Sequence, residues 1–329
     1  MISEKMKPFV QNNSAMFEEG KKMAAVYGKE NVYDFSLGNP SVPAPAAVRQ
    51  AILDILEEED GNMVHGYMSN AGFEDVREAV AESLNRRFGT NFRLENIMMT
   101  VGAASGMNVI LKTLLNPGDE VIAFAPYFME YGSYVRNYDG VLTVVSPNTE
   151  TFQPNLSEFA EKVTAKTKAV IINTPNNPTG VVYSAETLTR IGDILREKSA
   201  ETGHPIVLIS DEPYRELVYD DNELPFMPAH VKNCLIVYSF SKSLSLPGER
   251  IGYIAVSPKM DYYEEVKAGL KMILCDGEFV SKGEAKEEAS VYKYQSGDCI
   301  LQEVMACYCI APPQPGLALM GKSGLVMGV

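Results

Sequence analysis

Seven short apolar runs, at 96–100, 119–124, 141–146, 168–173, 206–210, 234–239 and 251–256, punctuate this 329-residue chain, and stretches patterned for helix separate most of them. Ala44 to Glu58, Phe73 to Phe88 and Leu188 to Lys198 repeat apolar residues at the spacing of an amphipathic helix. Runs such as Ile206-Val207-Leu208-Ile209 are continuously apolar rather than alternating, as a strand buried on both faces requires. Strands that alternate with helices imply an α/β fold, a mostly parallel seven-stranded sheet covered by helices on both faces. A chain of this length with 46% hydrophobic residues can fill one large core and leave enough for a smaller unit. The pattern divides into an N-terminal arm and small-domain segment at 1–44, a large domain at 45–262 and an atypical C-terminal segment at 263–329.

Three of the runs end in residues that carry chemistry. Lys168 to Thr174 leads into Pro175-Asn176-Asn177-Pro178-Thr179-Gly180, where two prolines and a glycine fix a rigid turn. The Asn177 amide there could donate to a phenolate oxygen, although Asn-Pro and Thr-Gly also serve in ordinary turns. The run at 206–210 ends in Asp211-Glu212-Pro213-Tyr214, which sets a carboxylate at the carboxyl end of a strand, the edge where open α/β sheets bind ligands. Taken alone, Asp211 is as readily a helix N-cap. The run at 234–239 opens Ser239-Phe240-Ser241-Lys242, followed by Arg250. A lysine attacks a carbonyl only as the neutral amine, so it needs burial or neighbouring cations. In isolation such a segment is more often a solvated basic loop. Together these groups supply a lysine for an aldehyde, an acid for a ring nitrogen and a cradle for a dianion, the set that pyridoxal phosphate needs.

In this order Asn177, Asp211, Tyr214, Lys242 and Arg250 resemble the class I aminotransferases, the fold type I family that includes aspartate aminotransferase. The resemblance implies that 45–262 is the large cofactor domain, with Lys242 as the catalytic Schiff-base lysine. It also implies Asp211 on the pyridine nitrogen, Asn177 and Tyr214 on the ring's 3-oxygen, and Ser239 with Arg250 on the phosphate. Thr100-Val101-Gly102-Ala103-Ala104-Ser105 is similar to the family's phosphate-cup turn, so Gly102, Ala103 and Ala104 would offer backbone N–H groups to the anion. In Pro126-Tyr127-Phe128, Phe128 matches the aromatic ring laid against the cofactor, with Tyr127 close behind. Phe35-Ser36-Leu37-Gly38-Asn39-Pro40 matches the segment whose glycine backbone meets the substrate carboxylate, a role that Gly38 would share with Asn177. Tyr67 matches a tyrosine lent to the phosphate of a neighbouring subunit, which implies a homodimer with shared sites. The activity implied is ping-pong transfer of an amino group between an L-amino acid and a 2-oxo acid. A C–S β-lyase on the same fold and a catalytically impaired cofactor-binding protein are the alternatives.

The balance of 29 basic to 43 acidic residues, net −14, argues against nucleic acid or an anionic membrane as partner. Met1 to Gly20 has no apolar leader-like core, and a cytoplasmic enzyme is the expectation. The five cysteines lack C-x-x-C spacing and the three histidines are scattered, so neither a disulfide framework nor a metal site is expected. From about Lys271 onward the resemblance stops. Four cysteines, Cys275, Cys299, Cys307 and Cys309, fall there, and no arginine follows Arg250, whereas the family carries one that clamps the substrate α-carboxylate. A shifted reading frame that replaces the family's small domain is the expectation.

Overall fold

The structure, a computed structural model, describes residue 7 and residues 15–33, 38–58, 61–219 and 222–274. The four later cysteines lie outside the described residues, as do Phe35, Ser36 and Leu37 of the Gly38 segment.

All seven expected strands form, within one or two residues of their expected ends: β1 Ile97–Thr100, β2 Glu120–Phe124, β3 Val141–Val145, β4 Thr167–Asn173, β5 Val207–Asp211, β6 Cys234–Ser239 and β7 Gly252–Val256. They make one sheet in the order β1-β7-β6-β5-β4-β2-β3. Strands β3, β2, β4, β5 and β6 run parallel, whereas β7 is antiparallel to both β6 and β1. The longer helices are α1 Ala15–Tyr27, α2 Ala46–Glu58, α3 Glu74–Phe88, α4 Gly102–Leu114, α5 Tyr131–Asn137, α6 Leu156–Lys162, α7 Ala185–Thr202 and α9 Tyr263–Leu274, with a single turn, α8 Phe240–Ser243, between β6 and β7.

The sheet sorts its apolar residues by parity. Val170, Ile172, Leu208 and Ile236 pack on one face with Val80 and Leu84 of α3 and with Leu188, Ile191 and Leu195 of α7. Ile171, Ile209, Leu235 and Val237 pack on the other with Ile110 and Leu111 of α4 and with Val266 and Leu270 of α9. This two-sided burial is why the central strands read as unbroken apolar runs. The helix ends follow local rules. The Ser184 hydroxyl caps α7 by accepting from Thr187 N at 3.1 Å, and Gly203, at φ 76°, closes that helix in the left-handed conformation. Among the described residues no helix is long and apolar enough to cross a membrane.

Gly252 at the start of β7 is where the sheet admits no side chain. A Cβ there would stand 2.2 Å from Tyr238 O and 3.1 Å from the backbone of Gly102, so β7 can lie beside both β6 and the first turn of α4 only because the residue is glycine. Gly252→Ala is therefore expected to destabilise the protein by about 1–3 kcal/mol, the cost of forcing a methyl into a packed backbone. Urea unfolding compared with the wild-type chain measures it.

Candidate active site

The parallel strands β4, β5 and β6 bring Asn173, Asp211 and Ser239 to their carboxyl ends, with Asn173 opposite Asp211 in register. Asn173 links the two strand ends. Its Nδ2 donates to Asp211 O at 2.9 Å and its Oδ1 accepts from Asn177 N at 2.6 Å. The turn beyond it is tied down further by Asn176, whose Oδ1 accepts from Thr179 N and Oγ1 and whose Nδ2 donates to Pro126 O. On this support the Asn177 Nδ2 donates to Tyr214 Oη at 3.2 Å. Two residues expected to share one oxygen thus stand side by side. Burial, and then the nearby Asp211 charge, push the Tyr214 phenol up to about 12.

Asp211 is buried, and its two oxygens differ. Oδ2 accepts from Tyr131 Oη at 2.6 Å, while Oδ1 is enclosed and has no partner among the described residues. Burial, reinforced by Glu212 and opposed by the Tyr131 hydrogen bond, pushes this carboxyl up to about 7. An enclosed carboxylate oxygen without a donor is costly, and such a group in a folded protein calls for a reason. Tyr131 is itself held in its protonated form, chiefly by burial and then by Asp211, so it stays a donor. Its ring lies nearly parallel to that of Tyr127 (centroids 6.3 Å apart) and meets Phe128 edge-on at 5.7 Å. Phe128 is therefore set one ring away from the Asp211 carboxylate.

Lys242 sits in the single turn α8, capped by Ser239, whose Oγ accepts from Ser241 N at 3.2 Å and bonds Ser241 Oγ at 2.8 Å. The lysine is half-buried and its Nζ donates to Gly38 O. Burial and the Arg250 guanidinium hold its pKa below the ordinary lysine value, the direction nucleophilic use of the amine requires. Arg250 adopts φ 57° and donates from Nη1 to Pro247 O at 3.0 Å. Its Nη2 would lie 3.0 Å from a Cβ at Gly102, which has φ +83°. The guanidinium thus lies against the first turn of α4, where the N–H groups of Gly102, Ala103 and Ala104 precede the helix's own hydrogen bonds and the helix dipole is positive. Tyr67 stands apart on the segment before α3, 76% exposed.

A sequence model described as Aminotransferase class I and II matches residues 30–277. The chain belongs to this family. It is 36% identical over 231 residues to an Aquifex aeolicus protein named a probable aspartate/prephenate aminotransferase, covering 68% of this chain and 56% of that protein. It is 31% identical over 254 residues to an aspartate aminotransferase of Pyrococcus horikoshii, covering 77% and 61% respectively. The chain thus spans less than two thirds of the length of either relative. Among solved structures, an aminotransferase from Eubacterium rectale superposes with TM-score 0.85 at 41% identity, over 94% of this chain and 75% of that one.

Most of the residues expected from the sequence lie together at one edge of the sheet. Asn177, Asp211, Tyr214, Ser239 and Lys242 gather at or just beyond the strand ends, Gly102, Ala103, Ala104 and Arg250 form an adjoining basic corner, and Gly38 reaches Lys242 through its carbonyl. Tyr67 lies on the exposed surface. Tyr131, Asn173 and Asn176 were not expected, yet they hold the strand-end group in place.

The Asp211 shift gives a stability prediction. The folded value of about 7 lies above the ordinary 3.8, so between those limits the native chain holds a proton that the unfolded chain has lost. Stability from this group falls as pH rises across that window and is level above it. Asp211→Asn should accordingly make the cofactor-free protein more stable than wild type at pH 8. The difference should shrink towards pH 4, as read from urea midpoints at each pH.

Proposed function

We propose that this chain is a pyridoxal-phosphate-dependent aminotransferase that moves an amino group between an L-amino acid and a 2-oxo acid in two half-reactions. The observation that carries the reading is the enclosed, partnerless Asp211 Oδ1 at the same edge as Lys242. An acceptor left free inside a packed site fits a ring N–H, and the neighbouring groups fit the rest of that cofactor. The Asn177 amide and Tyr214 hydroxyl suit the 3-oxygen. The first-turn N–H groups of Gly102, Ala103 and Ala104, with Ser239 and Arg250, suit a phosphate dianion, and Phe128 suits the face of the ring. The domain at 45–262 is the cofactor-binding unit. An exposed Tyr67 suits donation to the phosphate of a second copy, in a homodimer with shared sites.

Bound pyridoxal phosphate supplies an aldehyde and a conjugated ring that takes up the electron pair left when the substrate Cα loses its proton. The protein supplies position and protons. Asp211 keeps the ring nitrogen protonated, and Tyr131 holds that carboxylate in one orientation by occupying Oδ2. Lys242 is the covalent attachment point. Its Nζ, when not engaged with the aldehyde, would be the group placed to move a proton at the substrate Cα as general acid and base. Arg250 serves twice, since its charge draws the phosphate in and also keeps the Lys242 amine neutral at lower pH. The backbone of Gly38, next to Lys242 Nζ, and the Asn177 amide orient the substrate carboxylate. Residues 251–329 hold no arginine, so within this sequence the Gly38 backbone and the Asn177 amide are the groups assigned to that carboxylate.

Borohydride reduction of the loaded protein and peptide mapping should place the cofactor label on Lys242. A label on another lysine, or none with cofactor in excess, would overturn the reading. Mixing Lys242→Ala chains with Tyr67→Phe chains tests the shared site. Heterodimers would carry one site without either group and one complete site, so amino-transfer activity above both parents is expected. Simple averaging would restrict Tyr67 to its own subunit.

A further inference from the structure

On the face of the sheet that packs against α3, a chain of polar contacts runs from that helix to the turn that holds Lys242. Arg87, in the last turn of α3, donates from Nη2 to both oxygens of Glu216, at 2.7 and 2.8 Å. Glu216 lies two residues beyond Tyr214, on the segment that follows Asp211. Tyr238, near the end of β6, places its hydroxyl 3.3 Å from Glu216 Oε1 and 2.9 Å from Ser243 Oγ. A phenol has one proton, and the carboxylate can only accept. Tyr238 therefore donates to Glu216, and Ser243 donates to Tyr238. Tyr238 is 3% exposed, with its ring stacked on Tyr253 at 5.0 Å and edge-on to Phe240 at 5.2 Å. Ser243 is the residue after Lys242. Three segments, α3, the Tyr214 turn and α8, are thus joined by directed hydrogen bonds with a charge pair at one end, beside the contact of Arg215 with the Phe88 ring.

We propose that Arg87, Glu216, Tyr238 and Ser243 form a tether that fixes the Lys242 turn relative to the Asp211–Tyr214 turn, with Tyr238 as its positioning residue. The proposal rests on the reading of Lys242 as the attachment lysine. The placement supplies the physical reason. A single helical turn between two strands has few bonds of its own, and α8 is anchored at its start by Ser239 and at its end by Ser243. Without the second anchor the turn can open and admit water to the Lys242 amine. That amine faces the charge of Arg250, while the charged and titratable groups facing Tyr238 are Glu216, Arg87 and Tyr253.

Tyr238→Phe removes the hydroxyl and keeps the stacked ring. In the cofactor-free full chain, trace labelling with acetic anhydride across a pH series, followed by mass spectrometry of the Lys242 peptide, reads how readily that amine loses its proton. The tether predicts a midpoint about 0.5–1 pH unit higher in the variant, a roughly three- to tenfold slower reaction below it. Ser243→Ala should shift the midpoint in the same direction. Glu216→Gln should shift it less, because an amide oxygen still accepts from Tyr238. Should Tyr238→Phe fail to fold by circular dichroism, the other two variants decide by the same readout. A lower urea midpoint with an unchanged Lys242 profile would overturn the proposal, since a merely structural hydroxyl gives that result. Loading the wild-type chain with pyridoxal phosphate and mapping the reduced label runs in parallel. A label absent from Lys242 overturns the attachment reading, whereas a label present with no midpoint shift overturns the tether alone.

Discussion

Burying a carboxylate at the end of a central strand is unfavourable, and the arrangement around Asp211 meets that cost on one oxygen only. Tyr131 donates to Oδ2 and its ring is clamped by Tyr127 and Phe128, so the carboxylate cannot turn to share the bond. Among the described residues Oδ1 has no donor. Asn173 then fixes the backbone of the same residue, and through Asn177 it sets the Asn177–Tyr214 pair at a defined distance from it. Without the Tyr131 contact, Asp211 would be free to rotate or to hold its proton to higher pH. The open Oδ1 and the Asn177–Tyr214 pair would then no longer be related by a rigid framework.

Much of this was legible in the chain. Continuous apolar runs give strands whose faces are both covered, and all seven occur as expected. The residues at their ends, Asp211, Asn177 and Lys242, could be named because polar groups placed just after such runs must lie at the edge of the sheet. The antiparallel direction of β7 could not be read in the same way. Only the short α8 turn and its following loop separate β6 from β7, and the chain reverses through Ser245 and Arg250, both at positive φ, which composition does not announce. Tyr131 and Asn173 were hidden for another reason. A tyrosine among aromatics and an asparagine at a strand end look like core and turn residues until the partners of their polar atoms are known.

The site also shows where local economy gives way to function. A packed interior normally pairs each polar atom, and the fold does so at Glu212, which is enclosed but accepts from Ser210 Oγ at 2.6 Å and from Arg215 Nε at 2.5 Å. Adjacent in sequence and pointing to opposite faces of the strand, Asp211 and Glu212 receive opposite treatment. Glu212 is neutralised by an arginine that also lies over the rings of Phe88 and Phe226, a structural arrangement with nothing left over. Among the described residues Asp211 has no cation beside it and keeps an open acceptor, so the two faces of the strand end differ in polar character.

The anion corner depends on backbone shape rather than on side-chain number. Gly252 removes the Cβ that would otherwise push β7 away from Gly102, and Gly102, at φ +83°, leaves room for the Arg250 guanidinium. Two glycines therefore decide how near an arginine can come to the first turn of α4, where helix dipole and N–H groups already favour a negative charge. The same guanidinium lowers the pKa of Lys242. A dianion in this corner would offset that charge and weaken its effect on Lys242. The anion corner and the Lys242 amine are thereby linked through one residue whose position the backbone dictates.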